Sequence, residues 1–464
     1  MIWSRRSVLG GGSAAILAGA APRSAWGRTE ADVVIIGAGL AGLIAALRLE
    51  TAGLKVVVVE GEKRVGGRLH TLDDIQGKPE AGGIQVGSGY RLLRETAGNL
   101  NIRLKQSANE TRSALYRING ETVDEANWKD SPANLLKGME RDVLPAALAS
   151  HYARAMPVFP TIYDWLANDS DRYDVSYGSW LLAQGVSEEA ERLIRANFNG
   201  NGHNGMSLVH HMRSAAIFRA GSGPVFTIEG GSQRLPEAMA RTLKATVRLN
   251  NPVASISESM AGVQIKLENG QTLSARHCIC TIPFSALRSL RIDAKLPPAL
   301  NALIADLPYT RASFAYLGAS DAFWKTDGYP PTLWSDDPLL GRVFVLSDDP
   351  PMLKVWLSGP SADALDAMDS ESAAAAIIAR YEAARPSAKG KLRVLRLFSW
   401  QKERFAKGIY HHIGVGMRRD LAAISYGAAH RLRFAGEHLA LNASGMEAAL
   451  ESGERAAQAI IDRA

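Results

Sequence analysis

The sequence is poor in the residues that build disulfides, nucleic-acid surfaces and membrane spans. Its 464 residues include two cysteines, Cys278 and Cys280, which stand one residue apart. Two such neighbours cannot easily reach disulfide geometry with each other, and their alternation in an apolar strand predicts buried core thiols rather than a metal site. The net charge is +6, but no run of Lys or Arg carries it. We therefore expect no nucleic-acid partner.

Long apolar runs are also missing. The glycine-rich apolar stretch at residues 10–21 has 12 residues, whereas a helix that crosses a bilayer needs about 20. It follows Arg5 and Arg6 in a twin-arginine pattern, which is typical of an export signal for folded proteins. We expect residues 1–27 to be a twin-arginine signal peptide, cleaved after Ala21 or nearer Ala25, and the protein to be periplasmic or secreted with no stable membrane anchor. The alternative is an accidental arginine pair on a tail.

A glycine-rich loop between two apolar segments is the most informative motif. The apolar residues 33–36 lead into Gly37, Gly39 and Gly42, and the next apolar run ends at Glu60. Gly37 permits a tight turn, Gly39 lets the backbone approach a pyrophosphate, and Gly42 lets the helix pack on the strand. The pyrophosphate would lie at the helix N-terminus, and the Glu60 carboxylate suits ribose hydroxyls. The pattern predicts a dinucleotide-binding βαβ unit rather than an ordinary glycine-rich turn.

The middle of the chain gives weaker signals. Residues 106–223 are expected to be largely helical, and His203, in a glycine-rich turn, is expected to be a solvated loop residue. Residues 263–267 alternate apolar and polar, which predicts a half-buried strand, and the Asn269-Gly270 pair predicts the hairpin turn after it.

The C-terminal segment predicts a second cofactor contact. A short strand at residues 433–435 runs into a turn, and Ser444 with Glu447 has the spacing of a capping box for a helix that ends near residue 461. The N-terminus of that helix would stabilise negative charge on a cofactor ring aimed at it. The alternative is a terminal helix that only packs on the sheet.

Taken together, these motifs resemble the flavin-containing amine oxidase family, which includes monoamine oxidases, polyamine oxidases and L-amino-acid oxidases. The resemblance covers almost the whole chain after the signal segment. It rests on residues 33–42, Glu60, residues 64–68, Gly82, Gly83, residues 229–231, Val253, residues 281–283, Trp400, residues 408–410, residues 434–437 and residues 444–447.

The resemblance implies an α/β fold with a Rossmann-like FAD-binding domain and a discontinuous α+β substrate-binding domain, as in the two-domain amine oxidase and glutathione reductase architecture. Strand–helix units at both ends of the chain, with an inserted middle, agree with this organisation. We expect an FAD-binding domain at residues 28–105, 224–297 and 399–464. The substrate-binding domain would then comprise residues 106–223 and 298–398.

The resemblance also implies a role for each cofactor-binding residue. Contacts to the FAD pyrophosphate are expected from Gly37, Gly39, Gly42 and Arg68, with Arg64 and Gly67 in the same clasp. Glu60 would hold the adenosine ribose, and Val253 would meet the adenine. The flavin half of FAD would be contacted by Gly82, Gly83, Trp400, Gly436 and the Met446 backbone, and Glu437 would touch the pyrophosphate or the ribityl end.

The substrate pocket implied by the family departs from its pattern at four positions. Tyr410 matches one wall of the family's two-ring aromatic cage beside Trp400, whereas the second ring is replaced by Met446. Ile409 stands where a cysteine attaches the flavin covalently, so FAD should be noncovalent.

The other two departures concern charge. Gln85 replaces the arginine that clamps the carboxylate in L-amino-acid oxidases, which argues against an amino-acid substrate. Phe314 takes the place of a lysine that other members hold near the flavin, and Arg311 is the nearest cation in the sequence.

The expected reaction is oxidation of an amine C–N bond to an imine, which water hydrolyses to a carbonyl compound and ammonia or an amine. The electrons would pass to oxygen, giving hydrogen peroxide, or to a periplasmic acceptor, and the missing lysine favours the second. Tyr410, Met446 and Trp400 are the expected catalytic-site residues, and His411 and His412 are expected to lie behind them or at the surface. The alternatives are a flavin-binding protein without turnover and a flavoenzyme that oxidises carbon–carbon bonds. The assembly is open between a monomer and a homodimer.

Overall fold

The computed structural model describes residues 30–107, 113–425 and 431–463, so the expected signal peptide lies outside the described residues. The strands are β1 Ala31–Ile36, β2 Val56–Val59, β3 His70–Thr71, β4 Glu80–Gly82, β5 Leu104–Gln106, β6 Ala114–Ile118, β7 Glu121–Val123, β8 Phe226–Ile228, β9 Val247–Arg248, β10 Val253–Ser259, β11 Gly262–Leu267, β12 Thr272–Cys280, β13 Arg291–Asp293, β14 Ala312–Ala319, β15 Thr332–Ser335, β16 Arg342–Asp348, β17 Pro351–Ser358, β18 Leu392–Ser399 and β19 Leu432–Phe434.

The α-helices are α1 Leu40–Thr51, α2 Arg91–Asn99, α3 Leu148–Ala153, α4 Tyr177–Ala183, α5 Glu188–Ala196, α6 Leu208–Ala220, α7 Arg234–Thr242, α8 Phe284–Leu287, α9 Pro298–Asp306, α10 Pro360–Asp366, α11 Ser370–Ala384, α12 Arg418–Ser425 and α13 Gly445–Ile461. Short 3-10 helices occur at Gly138–Asp142, Pro145–Ala147, Asp164–Leu166, Asn168–Tyr173, Phe323–Lys325, Pro386–Ala388 and Glu437–Leu439. Within the described ranges, no helix is both long enough and apolar enough to cross a membrane.

The first sheet is built around the predicted βαβ unit. Its strands run in the order β13-β10-β11-β12-β1-β2-β9, and β19 also pairs with β12. The pairs that flank β1 are parallel, as are β2 with β9 and β12 with β19. Strands β1 and β2 are largely buried because both faces of a parallel sheet are covered. The carboxyl ends of these parallel strands position the glycine loop.

The hairpin prediction is confirmed. Strands β11 and β12 are antiparallel, and Gly270 between them has a φ of 89°, which suits glycine. Cys278 and Cys280 on β12 are fully buried and free, as predicted for core thiols.

The second sheet is mixed, with the order β18-β14-β17-β16-β15-β6-β7. Strands β14, β16, β17 and β18 are antiparallel neighbours, and β6 joins β15 in parallel. The expectation that residues 106–223 are largely helical is therefore wrong at its start, because β6 and β7 belong to this sheet. The apolar residues of β6 pair with β15, far along the chain, and that pairing outweighs the local sequence signal.

Helix α13 begins at the predicted place, but the capping box is not formed. The Ser444 side chain makes no capping hydrogen bond. The Glu447 carboxylate instead accepts hydrogen bonds from the amides of Leu92 and Leu93, at 2.8 and 2.9 Å, in the first turn of α2. The carboxylate thus satisfies free N–H groups of another helix rather than its own.

Candidate active site

A cleft of about 750 Å³ runs from the glycine loop to the second sheet. One end is lined by the loop after β1, by Glu60 and by Val253. The other end is lined by Phe314, Phe344, Lys354 and Trp356 of the second sheet. Between the two ends lie the remaining predicted site residues, namely Arg64, Gly67, Arg68, Gly82, Gly83, Trp400, Tyr410, Gly436, Glu437 and Met446. Of the predicted set, only Gly42 is not part of the lining.

The glycine loop has the shape that a dinucleotide requires. Gly37 has a φ of 103°, and a Cβ there would overlap the Thr281 hydroxyl. A Cβ at Gly42 would overlap the Gly37 carbonyl, so this glycine is what lets α1 pack against the turn. Gly39 is the N-cap residue of α1 and carries no side-chain cap. The first turn of α1 therefore leaves N–H groups free for an anion, which fits a pyrophosphate.

Glu60 closes this end of the cleft. Its carboxylate accepts hydrogen bonds from the Ala38 amide at 2.7 Å and the Glu62 amide at 2.8 Å. Burial raises the pKa of Glu60, and the two amide donors oppose that rise. The carboxylate is thus held by the glycine turn itself, where its remaining lone pairs suit ribose hydroxyls.

Arg64 and Arg68 form the predicted clasp but perform different tasks. Arg64 donates to the carbonyls of Gly67 at 2.8 Å and Leu69 at 3.1 Å, which fixes the turn between them. Arg68 reaches across the cleft and donates to Glu437 Oε1 at 3.0 Å and to the Ile409 carbonyl. Arg68 therefore joins the first nucleotide-binding segment to the two C-terminal segments of the site.

Glu437 is the centre of a buried ionic network. Its carboxylate also contacts His411, with the amide at 3.1 Å and Nδ1 at 2.7 Å. Burial alone would favour the neutral acid, but His411 and Arg68 outweigh it and hold the pKa of Glu437 well below its usual range. The carboxylate is consequently charged, so a cofactor phosphate would meet the Arg68 side of the network rather than Glu437 directly.

Gly82, Gly83 and Trp400 form one wall. A Cβ on Gly82 would overlap the Arg68 carbonyl and lie 3.0 Å from the Trp400 ring, and Gly83 has a φ of 80°. The Trp400 indole donates to the Ala81 carbonyl at 2.9 Å and is 1% exposed. The two glycines thus present bare backbone to the cleft beside the Trp400 ring, which leaves room for a flat ring system.

Tyr410 and Met446 lie in the same cleft, as the family pattern implies. The Tyr410 backbone is fixed by a hydrogen bond from the Thr310 amide to its carbonyl, at 2.9 Å. Burial raises the pKa of the Tyr410 phenol to about 12, so the phenol is neutral at physiological pH. The Met446 sulfur lies 3.4 Å from where a Cβ on Gly83 would be. The pocket thus has one aromatic and one thioether wall in these positions.

The sequence reasoning missed a lysine in the cleft. Phe314 is fully buried at the expected position, while Arg311 points away and pairs with Asp363 at 2.7 Å. Lys354, on the neighbouring strand, carries its Nζ 3.9 Å from the centre of the Phe314 ring and donates to the Glu80 carbonyl at 2.9 Å. Burial lowers the pKa of Lys354 to about 7. A lone lysine inside the apolar run of β17 was the available signal.

The histidines near the site are more buried than expected. His203 is 3% exposed and its Nε2 lies 2.6 Å from Glu191 Oε1, so the expectation of a solvated loop residue is wrong. The turn folds back against α4, whose Gly178 leaves room for the ring. His411 and His412 are also buried, so of the two expected placements the surface one is wrong. The His411 ring reaches Glu437, whereas burial lowers the pKa of His412 to about 3.

Comparison with known proteins identifies the family of this chain. Residues 40–461 match the family described as flavin containing amine oxidoreductase. A putative flavin-containing monoamine oxidase of Mycobacterium tuberculosis is 28% identical over 72% of this chain and 75% of its own length. A flavin-dependent L-tryptophan oxidase of Lentzea aerocolonigenes is 26% identical, covering 93% and 98%.

The fold is also that of a solved oxidase. Cyclohexylamine oxidase from Brevibacterium oxydans superposes with a TM-score of 0.77 at 23% identity, over 93% of this chain and 99% of that one. The expected fold class, a mixed α/β flavoenzyme fold of two domains, is confirmed. The family match begins at α1, directly after the first two loop glycines, and includes Arg68, Glu437 and α13. The chain therefore belongs to the flavin containing amine oxidoreductase family and is an FAD-dependent amine oxidoreductase.

Proposed function

We propose that this protein binds FAD noncovalently and oxidises a small amine to an imine, which water then hydrolyses to a carbonyl compound. The observation that carries the proposal is the single cleft that joins the glycine loop to Tyr410 and Met446. The relatives' printed names support an amine substrate, since they specify monoamine, L-tryptophan and cyclohexylamine oxidases.

Different residues of the cleft would bind different parts of FAD. The first turn of α1 and Arg68 would bind the pyrophosphate, Glu60 the ribose and Val253 the adenine. Gly82 and Gly83 would lie against the flavin. When bound, FAD supplies the acceptor for the two electrons of the oxidation. Ile409 supports noncovalent binding, because its side chain offers no nucleophile beside Tyr410.

The other end of the cleft would select and position the amine. An amine must lose its proton before it can be oxidised, and apolar walls favour the neutral form because they desolvate it. Tyr410 and Met446 would provide these walls, with Trp356 and Phe344 opposite. The Tyr410 phenol is neutral, so its expected role is packing and orientation rather than proton removal.

We propose oxygen as the electron acceptor, with a periplasmic carrier as the competing outcome. The missing lysine at Phe314 favoured the carrier, but Lys354 restores an amino group to the same region of the cleft. A cationic or hydrogen-bonding nitrogen there would stabilise negative charge as oxygen is reduced. We also propose twin-arginine export of the folded holoprotein, from the pattern at Arg5 and Arg6.

The test uses the yellow holoprotein without oxygen. Mixing it with a panel of amines should bleach the flavin absorbance, and adding oxygen should restore it with release of hydrogen peroxide. Failure of every amine to bleach the flavin would overturn the amine assignment and leave a non-catalytic or carbon–carbon oxidising flavoprotein. Recovery with a cytochrome alone would establish the carrier.

A variant at Tyr410 tests the pocket itself. Tyr410→Ala should stay yellow but be reduced at least about tenfold more slowly, because the amine loses its oriented wall. Tyr410→Phe is the matched control and should keep most of the rate, since the neutral phenol is not needed as a base. Unchanged reduction in Tyr410→Ala would remove Tyr410 from the site.

A further inference from the structure

Arg342 is a cation in the substrate end of the cleft that no described carboxylate balances. It begins strand β16 and lines the cleft with Phe344 of the same strand and Trp356 of the neighbouring strand. It lies close enough to Tyr410 for the two to interact electrostatically. The guanidinium therefore faces the space where the amine would bind.

The hydrogen bonds of Arg342 leave much of its donor capacity open. One terminal nitrogen donates to the Asn199 side-chain oxygen at 2.8 Å, and the group lies 5.9 Å from the centre of the Phe344 ring. Its Nε is buried and has no hydrogen-bond partner among the described residues. Burial lowers the pKa of Arg342. A guanidinium has five N–H donors, so this environment leaves the charge under-compensated.

Two fully buried arginines are each balanced by a carboxylate, whereas a third, Arg213, donates to two backbone carbonyls. Arg385 is fully buried and contacts both oxygens of Asp327, at 2.7 and 2.8 Å. Arg418 is equally buried and pairs with Asp171 at 2.5 Å. Within the cleft, Arg68 has Glu437 as its partner. For Arg342, no described Asp or Glu oxygen lies within ion-pair distance.

The surrounding charges also favour an anion. The second-sheet residues that line the cleft include no Asp or Glu, and the basic side chain there besides Arg342 is Lys354, whose pKa is about 7. The two buried carboxylates of the lining are engaged elsewhere: Glu60 accepts from the amides of the glycine turn, and Glu437 is bound by Arg68 and His411. Positive charge at the substrate end is thus free to act on a ligand.

We propose that Arg342 binds a carboxylate of the substrate, so that the amine oxidised here also carries an acidic group. This inference rests on the proposed amine oxidation and specifies its substrate class. The two oxygens of a carboxylate would accept hydrogen bonds from the unpartnered Nε–H and from a terminal N–H of Arg342, which is the bidentate geometry that a guanidinium favours. Gln85 cannot provide a positive charge for the carboxylate, but Arg342 on β16 would provide it. The expectation against an amino-acid substrate, which rested on Gln85, is therefore revised.

The first experiment measures anion binding without turnover. Benzoate and its neutral counterpart benzamide are titrated into the oxidised holoprotein by calorimetry. Benzoate should bind about 10- to 100-fold more tightly, the effect of charge-assisted hydrogen bonds. Arg342→Met should abolish this preference while staying yellow. Arg342→Lys should keep part of the preference, because lysine retains the positive charge but not the paired N–H donors of the guanidinium. Arg311→Met, at an arginine outside the cleft, is the matched control.

The second experiment compares anaerobic flavin reduction by paired amines, phenylalanine against phenethylamine and 4-aminobutyrate against butylamine. The acid of at least one pair should reduce the flavin with an apparent Kd about 10- to 100-fold lower, and Arg342→Met should remove the difference. Equal or better reduction by the simple amines, together with equal binding of benzoate and benzamide, would overturn the inference and leave the amine oxidation standing. If benzoate binds through Arg342 but no amine reduces the flavin, the amine oxidation fails and the anion site stands.

Discussion

Replacing Lys354 with methionine should make the protein more stable near neutral pH, by an amount that shrinks as the pH rises. The Lys354 side chain is 1% exposed, and burial lowers its pKa from 10.5 to about 7. Between these two values the unfolded chain carries a proton that the folded chain lacks. The stability of the wild type therefore rises with pH across this window, by about 1.4 kcal/mol per pH unit.

The magnitude follows from the same shift. At about pH 7, where half of the folded molecules already carry the proton, the buried amine costs about 4 kcal/mol, and at about pH 9 it costs about 2 kcal/mol. Methionine removes this cost and fits among Phe314, Tyr316 and Trp356, but it loses a hydrogen bond worth about 1 kcal/mol and the cation–π contacts. The Glu80 carbonyl keeps the Tyr316 hydroxyl as a donor at 2.8 Å, so no buried acceptor is orphaned. We expect a net gain of about 2–3 kcal/mol at about pH 7 and little at about pH 9.

Urea unfolding of the FAD-saturated protein at these two pH values measures the effect. Lys266→Met, at an exposed lysine on strand β11, is the control and should follow the wild type at both. A Lys354→Met variant that is less stable than the wild type at about pH 7, or whose advantage is the same at both pH values, would refute the reasoning.

Three further predictions concern the cofactor loop, acid stability and a helix cap. Gly42→Ala should be purified with much less bound flavin, because its Cβ would overlap the Gly37 carbonyl. The control Gly98→Ala, in an open position on α2, should stay yellow. The ratio of flavin absorbance to protein absorbance measures the bound flavin in both variants. His412→Gln should lose about 2 kcal/mol less stability than the wild type between about pH 6.5 and about pH 4.5, because only the unfolded wild-type chain takes up that proton when the folded pKa is about 3. Parallel losses in the two proteins would contradict this. Glu447→Gln should lower the free energy of unfolding by about 1–2 kcal/mol through the first turn of α2, and an unchanged midpoint in urea would show that the carboxylate does not cap that helix.

The features predictable from the sequence are those whose cause is local. The glycine loop, the Asn269-Gly270 hairpin and the buried pair on β12 each follow from the steric or periodic requirements of a few adjacent residues. The match to the family then identifies the cofactor as a flavin. These short-range rules were sufficient for the nucleotide-binding half of the site.

The missed features depend on residues that are distant along the chain. The register of β14 with β17 sets Tyr316 opposite Lys354, and this pairing is what brings an amine to the Phe314 position. Glu447 had the correct spacing for its own helix, yet α2 offers two free amides to the same carboxylate. His203 became buried because Glu191 compensates its ring. In each case a contact with residues distant along the chain decided where the side chain lies, and the local sequence pattern does not contain that contact.

The close packing of α1 against α13 has a consequence for synthesis. A Cβ on Gly453 of α13 would overlap the Ala41 carbonyl of α1, so the first and last helices of the described fold touch through their backbones. Met446, at the start of α13, forms part of the cleft. A chain that has been synthesised only as far as its glycine loop therefore lacks one wall of the cleft. The complete cleft forms only once α13 has folded against α1.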